Sequence, residues 1–413
     1  MISLKKLPDN SIDSIVSDPP YGLSFMGKKW DYDVPSVEFW KEVYRVLKPG
    51  GHVLSFGGTR TYHRMVVNIE DAGFEIRDQI QWIYSTGFPK SLNIGKAVDK
   101  LQGNEREVVG ERDLLGPAIH EGGTRPEGKS TIELTKGTTP QEGWGTALKP
   151  ANEPICVARK PLSEKTIADN VLKWGTGGIN IDGCRIEGKT KDIVAGDRHN
   201  GTHEYGFKDA SWEGNSEGRF PANIIFDESA ASMLDEQSGV SKSSKITQPL
   251  LDITGGSYNN DKGNTDKITE RGHNDSGGAS RFFYVAKVSK SERNMGLDGF
   301  EEKESNSIGS TYAGNQTTSK IGGNPDKPTE PKKNTHPTLK PVQLMSYLVK
   351  LVTPPNGIVL DPFLGSGSTG IATLLEGFRF CGMEMDSDYF KIAEARIESY
   401  ELYRPFVEKK KKK

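Results

Sequence analysis

The stretch "GIVLDPFLGSGSTGIATLLEG", residues 357–377, constrains the fold more than any other part of the chain. A short apolar run reads as a buried strand, a glycine-rich turn follows, and apolar residues resume at helical spacing. A strand that passes through a tight glycine turn into a helix is the repeating unit of a layered α/β sheet. Gly365, Gly367 and Gly370 set the spacing G-x-G-x-x-G, and Glu384 ends the next strand-like run, "FRFCGMEM". Glycines let the backbone approach a ligand, and the helix that follows presents free amides at its start.

The same alternation occupies the other end of the chain. "SIDSIVSD" reads as a strand, "SVEFWKEVYRVLK" as a helix stopped by "PGG", and "HVLSFGG" as a buried strand. "TYHRMVVNIEDAG" then reads as a helix and "FEIRDQIQWIYS" as another strand. "EPICVARKP" is a short apolar run able to pair with "QIQWIYS". Residues 101–148 are polar, glycine-rich and aperiodic, the texture of a long loop or lid. From 162 to 333 glycine, asparagine, serine and lysine dominate. Only "GGINIDGCRI", "FPANIIFD" and "RFFYVAKV" stand out as strand-like islands, and "SAASMLDEQS" as a helix.

Each α/β piece is too small to make a sheet by itself. We therefore expect one sheet built from residues 1–161 and 334–405, interrupted by an irregular domain over 162–333 and followed by a basic tail at 406–413.

Two ligands suit the glycine loop. By pattern it matches a dinucleotide fingerprint, the mark of a nicotinamide-dependent dehydrogenase. Yet only one strand and one helix follow, whereas a dinucleotide fold needs two mononucleotide halves. Asp361 also places a carboxylate at the strand tip, where it repels a pyrophosphate. S-adenosylmethionine suits the site better. The loop amides hold its carboxylate, Asp361 attracts its ammonium, and Glu384 takes the ribose hydroxyls.

A methyl donor gives meaning to "SDPPYG", residues 17–22. The amino group of adenine or cytosine is a poor nucleophile because its lone pair is delocalised into the ring. The Asp18 carboxylate and the Pro19 carbonyl can accept both of its hydrogens and free that lone pair. Pro19 and Pro20 hold the acceptors rigid, as electrostatic preorganisation requires. Tyr21 offers a ring to a base turned out of its duplex.

Composition narrows the partners. The formal net charge is −2, so phosphate binding has to be local. Cys156, Cys184 and Cys381 are widely spaced and none follows a proline. That argues against a disulfide scaffold, a zinc site and attack on cytosine C5 by a cysteine. No apolar run reaches membrane-spanning length, and a cytoplasmic protein is expected. Trp30 with Lys28 and Lys29 has the composition of a base- or phosphate-contacting loop. His199 and His203 have zinc-like spacing but no third ligand nearby. In "SRFFYVAKVSKSER" cations alternate with aromatics, as on a DNA-facing strand.

"SDPPYG", "VLKPGGHVLSFGG", "NTHPTLKPVQLM" and "VLDPFLGSGSTG" together resemble the beta group of DNA amino-methyltransferases, phage and prophage members in particular. The resemblance covers residues 1 to about 160 and 334–400 well and the middle loosely. It implies a circularly permuted, Rossmann-like α/β sheet dependent on S-adenosyl-L-methionine, with 162–333 as an inserted target recognition domain. It also implies site-specific, in-line methyl transfer to a flipped base in double-stranded DNA, in a bacterial or phage-infected host. Asp18, Pro19, Pro20 and Tyr21 then hold the target base. Asp361, Phe363, Gly365, Ser366, Gly367, Thr369 and Glu384 line the cofactor, and His336, Thr338 and Lys340 border its methionine end. Members with an acid first in the turn are mostly adenine-N6 enzymes, so adenine N6 is expected, with cytosine N4 as the alternative. A non-catalytic DNA-binding module is a more distant one. No nuclease motif is evident, no metal is expected, and a homodimer stays open. The Gly-Asp pair that relatives carry upstream of the target turn, whose acid contacts the cofactor adenine, has no counterpart in "MISLKKLPDNSID", which leaves that contact unassigned.

Overall fold

The computed structural model describes residues 3–23, 31–87, 91–113, 131–187, 218–242, 246–248, 269–271, 275–287, 289, 291–302 and 332–407. Trp30, Lys28, Lys29, His199, His203 and the terminal lysines at 409–413 lie outside the described residues. The described chain forms two compact units, one of residues 1–85 with 152–413 and one of residues 86–151.

The larger unit is an eight-stranded sheet. Its strands in chain order are β1 (Ile12–Ser17), β2 (Leu47–Phe56), β3 (Glu75–Ile83), β4 (Asn152–Arg159), β5 (Ile224–Asp227), β6 (Tyr284–Ala286), β7 (Ile358–Asp361) and β8 (Arg379–Gly382). They lie side by side in the order β6-β5-β3-β4-β2-β1-β7-β8. Only β4 runs antiparallel to its neighbours β2 and β3. The apolar run "EPICVARKP" therefore does pair with "QIQWIYS", Gln81 facing Pro154.

Helices α1 (Val37–Val46), α2 (Tyr62–Asp71), α3 (Ile167–Trp174), α4 (Glu228–Ser238), α5 (Val342–Val352), α6 (Ser368–Leu375) and α7 (Ser387–Glu398) accompany these strands. Two apolar clusters flank the sheet. One contains Trp40, Val43, Val53, Met65 and Leu360, and the other contains Leu54, Ile155, Leu348, Val359 and Ile371. β1 is buried along its whole length, as a central parallel strand should be.

The chain's two ends meet at β1 and β7. Buried polar groups stitch that junction. The Asp13 carboxylate accepts the Ile358 amide at 2.7 Å and the Lys48 ammonium at 2.6 Å. The Ser14 and Thr353 hydroxyls are 2.8 Å apart. Strands from both ends of the chain thus share one sheet.

Several local expectations are revised. α1 stops at Val46, and Lys48–Gly51 already belong to β2. "GGINIDGCRI" is a turn with a short 3-10 stretch at Asp182–Cys184, too rich in glycine to hold a strand. "FPANIIFD" and "RFFYVAKV" do form strands, but they join the main sheet as β5 and β6. There Tyr284 stacks on Tyr347 at 4.0 Å, a packing role within the strand. The described part of 101–148 is not a structureless loop. Within the smaller unit, Glu107–Asp113 pairs antiparallel with Thr131–Lys136, and a helix covers Ile94–Gln102. Arg106 of that unit lies between the Asp99 and Glu142 carboxylates.

α3 was not apparent in the sequence, and it shows how an irregular-looking stretch is anchored. Asn170 is fully buried. Its amide donates to the carbonyls of Pro49 at 2.9 Å and Thr176 at 2.8 Å, and its oxygen accepts the Ser163 amide at 3.1 Å. Gly50, with φ +77°, has no room for a side chain, because a β-carbon there would come within 2.5 Å of that amide. Replacing Asn170 by Leu leaves the buried Thr176 carbonyl unpaired, at a cost of about 1–3 kcal/mol, and takes one of two donors from the Pro49 carbonyl, which keeps the Thr176 hydroxyl at 2.6 Å. We expect a clear fall in the urea midpoint of Asn170→Leu; an unchanged midpoint would contradict this account.

Candidate active site

β1 and β7 are adjacent and parallel, so the segments that leave their C-terminal ends emerge at one edge of the sheet. In open α/β sheets that edge is where ligands bind. From β1 comes the Asp18–Tyr21 turn, and from β7 the glycine loop. Their roots are tied together, since the Ser17 hydroxyl donates to Asp361 Oδ1 at 2.6 Å. The Phe363 amide donates to the same oxygen at 3.1 Å. Asp361 is 2% exposed, and burial pushes its carboxyl up to about 6 against the opposing hydrogen bonds from Ser17 and Thr369. Its carboxylate is thus turned into the protein beneath the loop.

The turn is held from below. Asp31 is buried, and its carboxylate accepts the amides of Tyr21 at 2.7 Å, Gly22 at 2.9 Å and Leu23 at 3.2 Å. The Thr61 hydroxyl donates to the Tyr21 carbonyl. Pro19 is buried and Pro20 half-buried. These contacts and two fixed φ angles leave the turn little freedom.

Above the turn sits a cluster of four polar side chains. The Tyr21 hydroxyl lies 2.8 Å from Asp18 Oδ1 and 2.9 Å from Glu153 Oε2. The Lys340 ammonium lies 2.6 Å from Asp18 Oδ2 and 3.1 Å from Glu153 Oε2. Burial pushes the lysine toward neutrality, but the two carboxylates outweigh it and hold the ammonium charged well above its ordinary range. Burial and the same two carboxylates raise the Tyr21 phenol well above its usual value, so it stays protonated. The Lys340 ammonium also lies 4.8 Å from the centre of the Phe56 ring.

The glycine loop is equally constrained. Gly365 and Gly367 have φ of +55° and +84°, in the left-handed region. A β-carbon on Gly365 would come within 3.1 Å of the His336 ring. Glu384 reaches back across the loop, accepting the Gly365 amide at 2.8 Å and the Met385 and Asp386 amides at 2.9 Å. His336 Nδ1 donates to the Thr338 carbonyl at 2.6 Å, and its ring meets Tyr389 edge-on at 4.7 Å. Burial lowers the imidazole's affinity for a proton. Phe363 packs on Phe39 at 4.9 Å. Ser366, Gly367 and Thr369 are buried, and the Ser366 carbonyl accepts from the fully buried guanidinium of Arg396.

The structure brings Asp18, Tyr21 and Lys340 together in one cluster, and Asp361, Phe363, Gly365, Ser366, Gly367, Thr369, Glu384 and His336 around the loop. It divides the "HPTLKP" trio, with His336 against the loop and Lys340 on the target turn. Glu153, Asp31 and Arg396 were not singled out from the sequence. Glu153 left a signal, as an acid heading the buried strand "NEPICVAR", but nothing in the chain order names its partners. Cys156 and Cys184 are buried and Cys381 half-buried, all three as free thiols. Among the described residues no group of His, Cys, Asp and Glu is arranged to hold a metal ion, and no helix is long and apolar enough to cross a membrane.

A mostly parallel sheet with a glycine loop and an acid-Pro-Pro-Tyr turn at neighbouring strand ends has the build of an α/β methyltransferase. The chain belongs to the N6_N4_Mtase family, described as DNA methylase, which matches residues 12–395. It is 39% identical over 223 residues to the type II methyltransferase M.HindIII of Haemophilus influenzae, covering 44% of this chain and 62% of that protein. It is 38% identical over 77 residues to the type II methyltransferase M2.DpnII of Streptococcus pneumoniae, 19% of this chain and 29% of that one. It is 40% identical over 63 residues to the DNA adenine methyltransferase YhdJ of Escherichia coli, 15% and 21%. The matched segments thus span less than two thirds of each relative's length. Among solved structures, the PvuII DNA methyltransferase (cytosine-N4-specific) matches at a TM-score of 0.39 and 13% identity, over 98% of this chain and 88% of that one. An M1.HpyAVI–SAM complex matches at 0.37 and 15%, over 96% and 92%. At these TM-scores neither match adds to the family assignment.

The methyl donor of such a methylase is S-adenosyl-L-methionine. The loop has the chemistry to take it. The Ser368 hydroxyl is buried without a protein partner, and the first amides of α6 have no helical acceptor. Glu384 stands at the next strand end with one carboxylate oxygen on the loop.

Proposed function

We propose that the chain is a site-specific DNA methyltransferase that methylates the exocyclic N6 of adenine. The observation that carries this reading is the Ser17–Asp361 hydrogen bond, which joins the root of the base-accepting turn to the root of the cofactor loop. When bound, S-adenosyl-L-methionine supplies an electrophilic methyl group on a positively charged sulfur. Glu384, Gly365, Ser366, Gly367 and Thr369 hold the cofactor, with Phe363, His336 and Thr338 beside them and Asp361 as negative charge beneath the loop. The Asp18 carboxylate and the Pro19 carbonyl accept the hydrogens of the target amino group. Pro20 keeps those acceptors fixed, and Tyr21, anchored by its hydroxyl, offers its ring to the extruded base. Adenine is favoured over cytosine by the acid at position 18, as in the adenine-directed members that the turn resembles.

We assign choice of the target sequence to 162–333, much of which lies outside the described residues. The test is sequencing, with modified-base detection, of DNA from a methylation-free host expressing this chain. The expected mark is N6-methyladenine at one recurrent sequence. N4-methylcytosine would overturn the choice of base, and an unmodified genome would overturn the reaction. A chimera carrying a relative's 162–333 should mark a different sequence with the same modified base.

A further inference from the structure

In the structure, the oxygens of Asp18 that the target amino group needs are already engaged. Tyr21 lies on Oδ1, and the Lys340 ammonium lies on Oδ2 at 2.6 Å. The lysine side chain is 8% exposed, so it is built into the site rather than resting on it. It is also a cation placed where the reaction must accommodate a sulfonium. Two cations in one buried cluster repel each other. A second carboxylate is within reach, since Lys340 lies 3.1 Å from Glu153 Oε2, and Tyr21 ties the two acids together. Two carboxylates against one ammonium leave the cluster one negative charge, which suits the positive charge of an attacked sulfonium.

From this geometry we propose that Lys340 is a displaceable plug on Asp18, and that Glu153 is the positioning residue onto which its ammonium withdraws when the target amino group enters. Withdrawal costs little because the ammonium keeps a charged partner throughout, and the Asp18 oxygen then faces the base. The empty site is meanwhile spared a half-buried carboxylate with no cation beside it. Glu153 does not touch the base and does not take part in bond making. Its effect passes through Lys340 and Tyr21.

The inference rests on the methyltransferase reading above. It is tested with Glu153→Gln, which keeps the shape and a hydrogen-bond acceptor but removes the charge that draws Lys340 away. The measurement is transfer of a tritiated methyl group to DNA from a methylation-free host, alongside calorimetric titration of S-adenosyl-L-methionine and thermal unfolding of each variant. We expect single-turnover transfer by Glu153→Gln to fall on the order of 10²-fold, with cofactor affinity within about twofold of wild type. The double variant Glu153→Gln with Lys340→Met removes the plug together with its parking site and restores the single negative charge. It should transfer faster than Glu153→Gln alone. A structural defect at Glu153 predicts no such recovery. Wild-type transfer by Glu153→Gln, or a double variant no faster than the single, overturns the plug. If the wild-type protein transfers no methyl group to DNA, the methyltransferase reading fails instead.

Discussion

Asp18→Ala should lose methyl transfer to DNA by a factor on the order of 10²–10³ while keeping most of its affinity for S-adenosyl-L-methionine. The magnitude is that of removing one preorganised electrostatic contact to a reacting group. Here Ala removes one of two acceptors for the amino hydrogens and also a negative charge beside the target amino group. The fold should tolerate the change. Pro19 and Pro20 remain, and the Asp31 carboxylate still binds three amides of the turn. Lys340 keeps Glu153 as a partner. The cofactor contacts proposed for the loop come from a different strand, which is why binding and transfer should separate. Tritiated-methyl transfer and calorimetric titration of the same preparation make the comparison. Near-normal transfer would remove the turn from the catalytic machinery and reduce it to a rigid corner.

The second large effect is expected at Asp361, where burial raises the carboxyl to about 6. A free aspartic acid titrates near ~3.9. Below that value the group is protonated in folded and unfolded chains alike and costs nothing. As pH rises from about 4 to about 6 the unfolded chain ionises first. Above about 6 the folded protein carries the full cost of a buried charge. That cost is on the order of 2–3 kcal/mol, so this group makes the protein less stable at pH 7 than at pH 4.

Asp361→Asn removes the charge but keeps oxygen acceptors for Ser17 and Phe363. We expect it to raise the melting temperature at pH 7.5 and to weaken S-adenosyl-L-methionine about 10- to 100-fold, the worth of a charge-assisted contact. Wild-type affinity for the cofactor should fall as pH drops through about 6, and the Asn variant should not show that dependence. Asp361→Ala also orphans the Ser17 hydroxyl, so it should lose stability as well as cofactor. Calorimetry at pH 5.5 and pH 8 on wild type and the Asn variant decides the matter. A cofactor affinity that the Asn variant retains in full would show that Asp361 serves only the packing of β1 against β7.

What could be read from sequence was set by local backbone geometry. The spacing of Gly365, Gly367 and Gly370 between a strand-like run and a helical one suits a strand-to-helix turn with left-handed residues, and the structure has φ of +55° and +84° at the first two. Pro19 and Pro20 dictate a stiff corner wherever β1 happens to lie. Apolar periodicity found α1, α2 and α7, which bury one face whatever their partner, and apolar content found α5 and α6, which are buried almost all round. The short strands β5 and β6 carry only four and three residues. Such runs are too short for periodicity to say which sheet they join, and their glycine- and serine-rich surroundings suggested a body apart.

The charge pattern of the site was decided by tertiary structure. β4 enters antiparallel between β2 and β3, and its first residues place Glu153 beside Tyr21, 132 positions away in the chain. The "HPTLKP" segment brings Lys340 to Asp18 from 322 positions away. An ionised side chain in a buried site takes the nearest opposite charge, and no spacing rule within one segment can state which charge that is. The acceptor turn and the glycine loop were therefore legible as residues, whereas the ammonium that stands on the acceptor, and the second acid that competes for it, exist only in the folded chain.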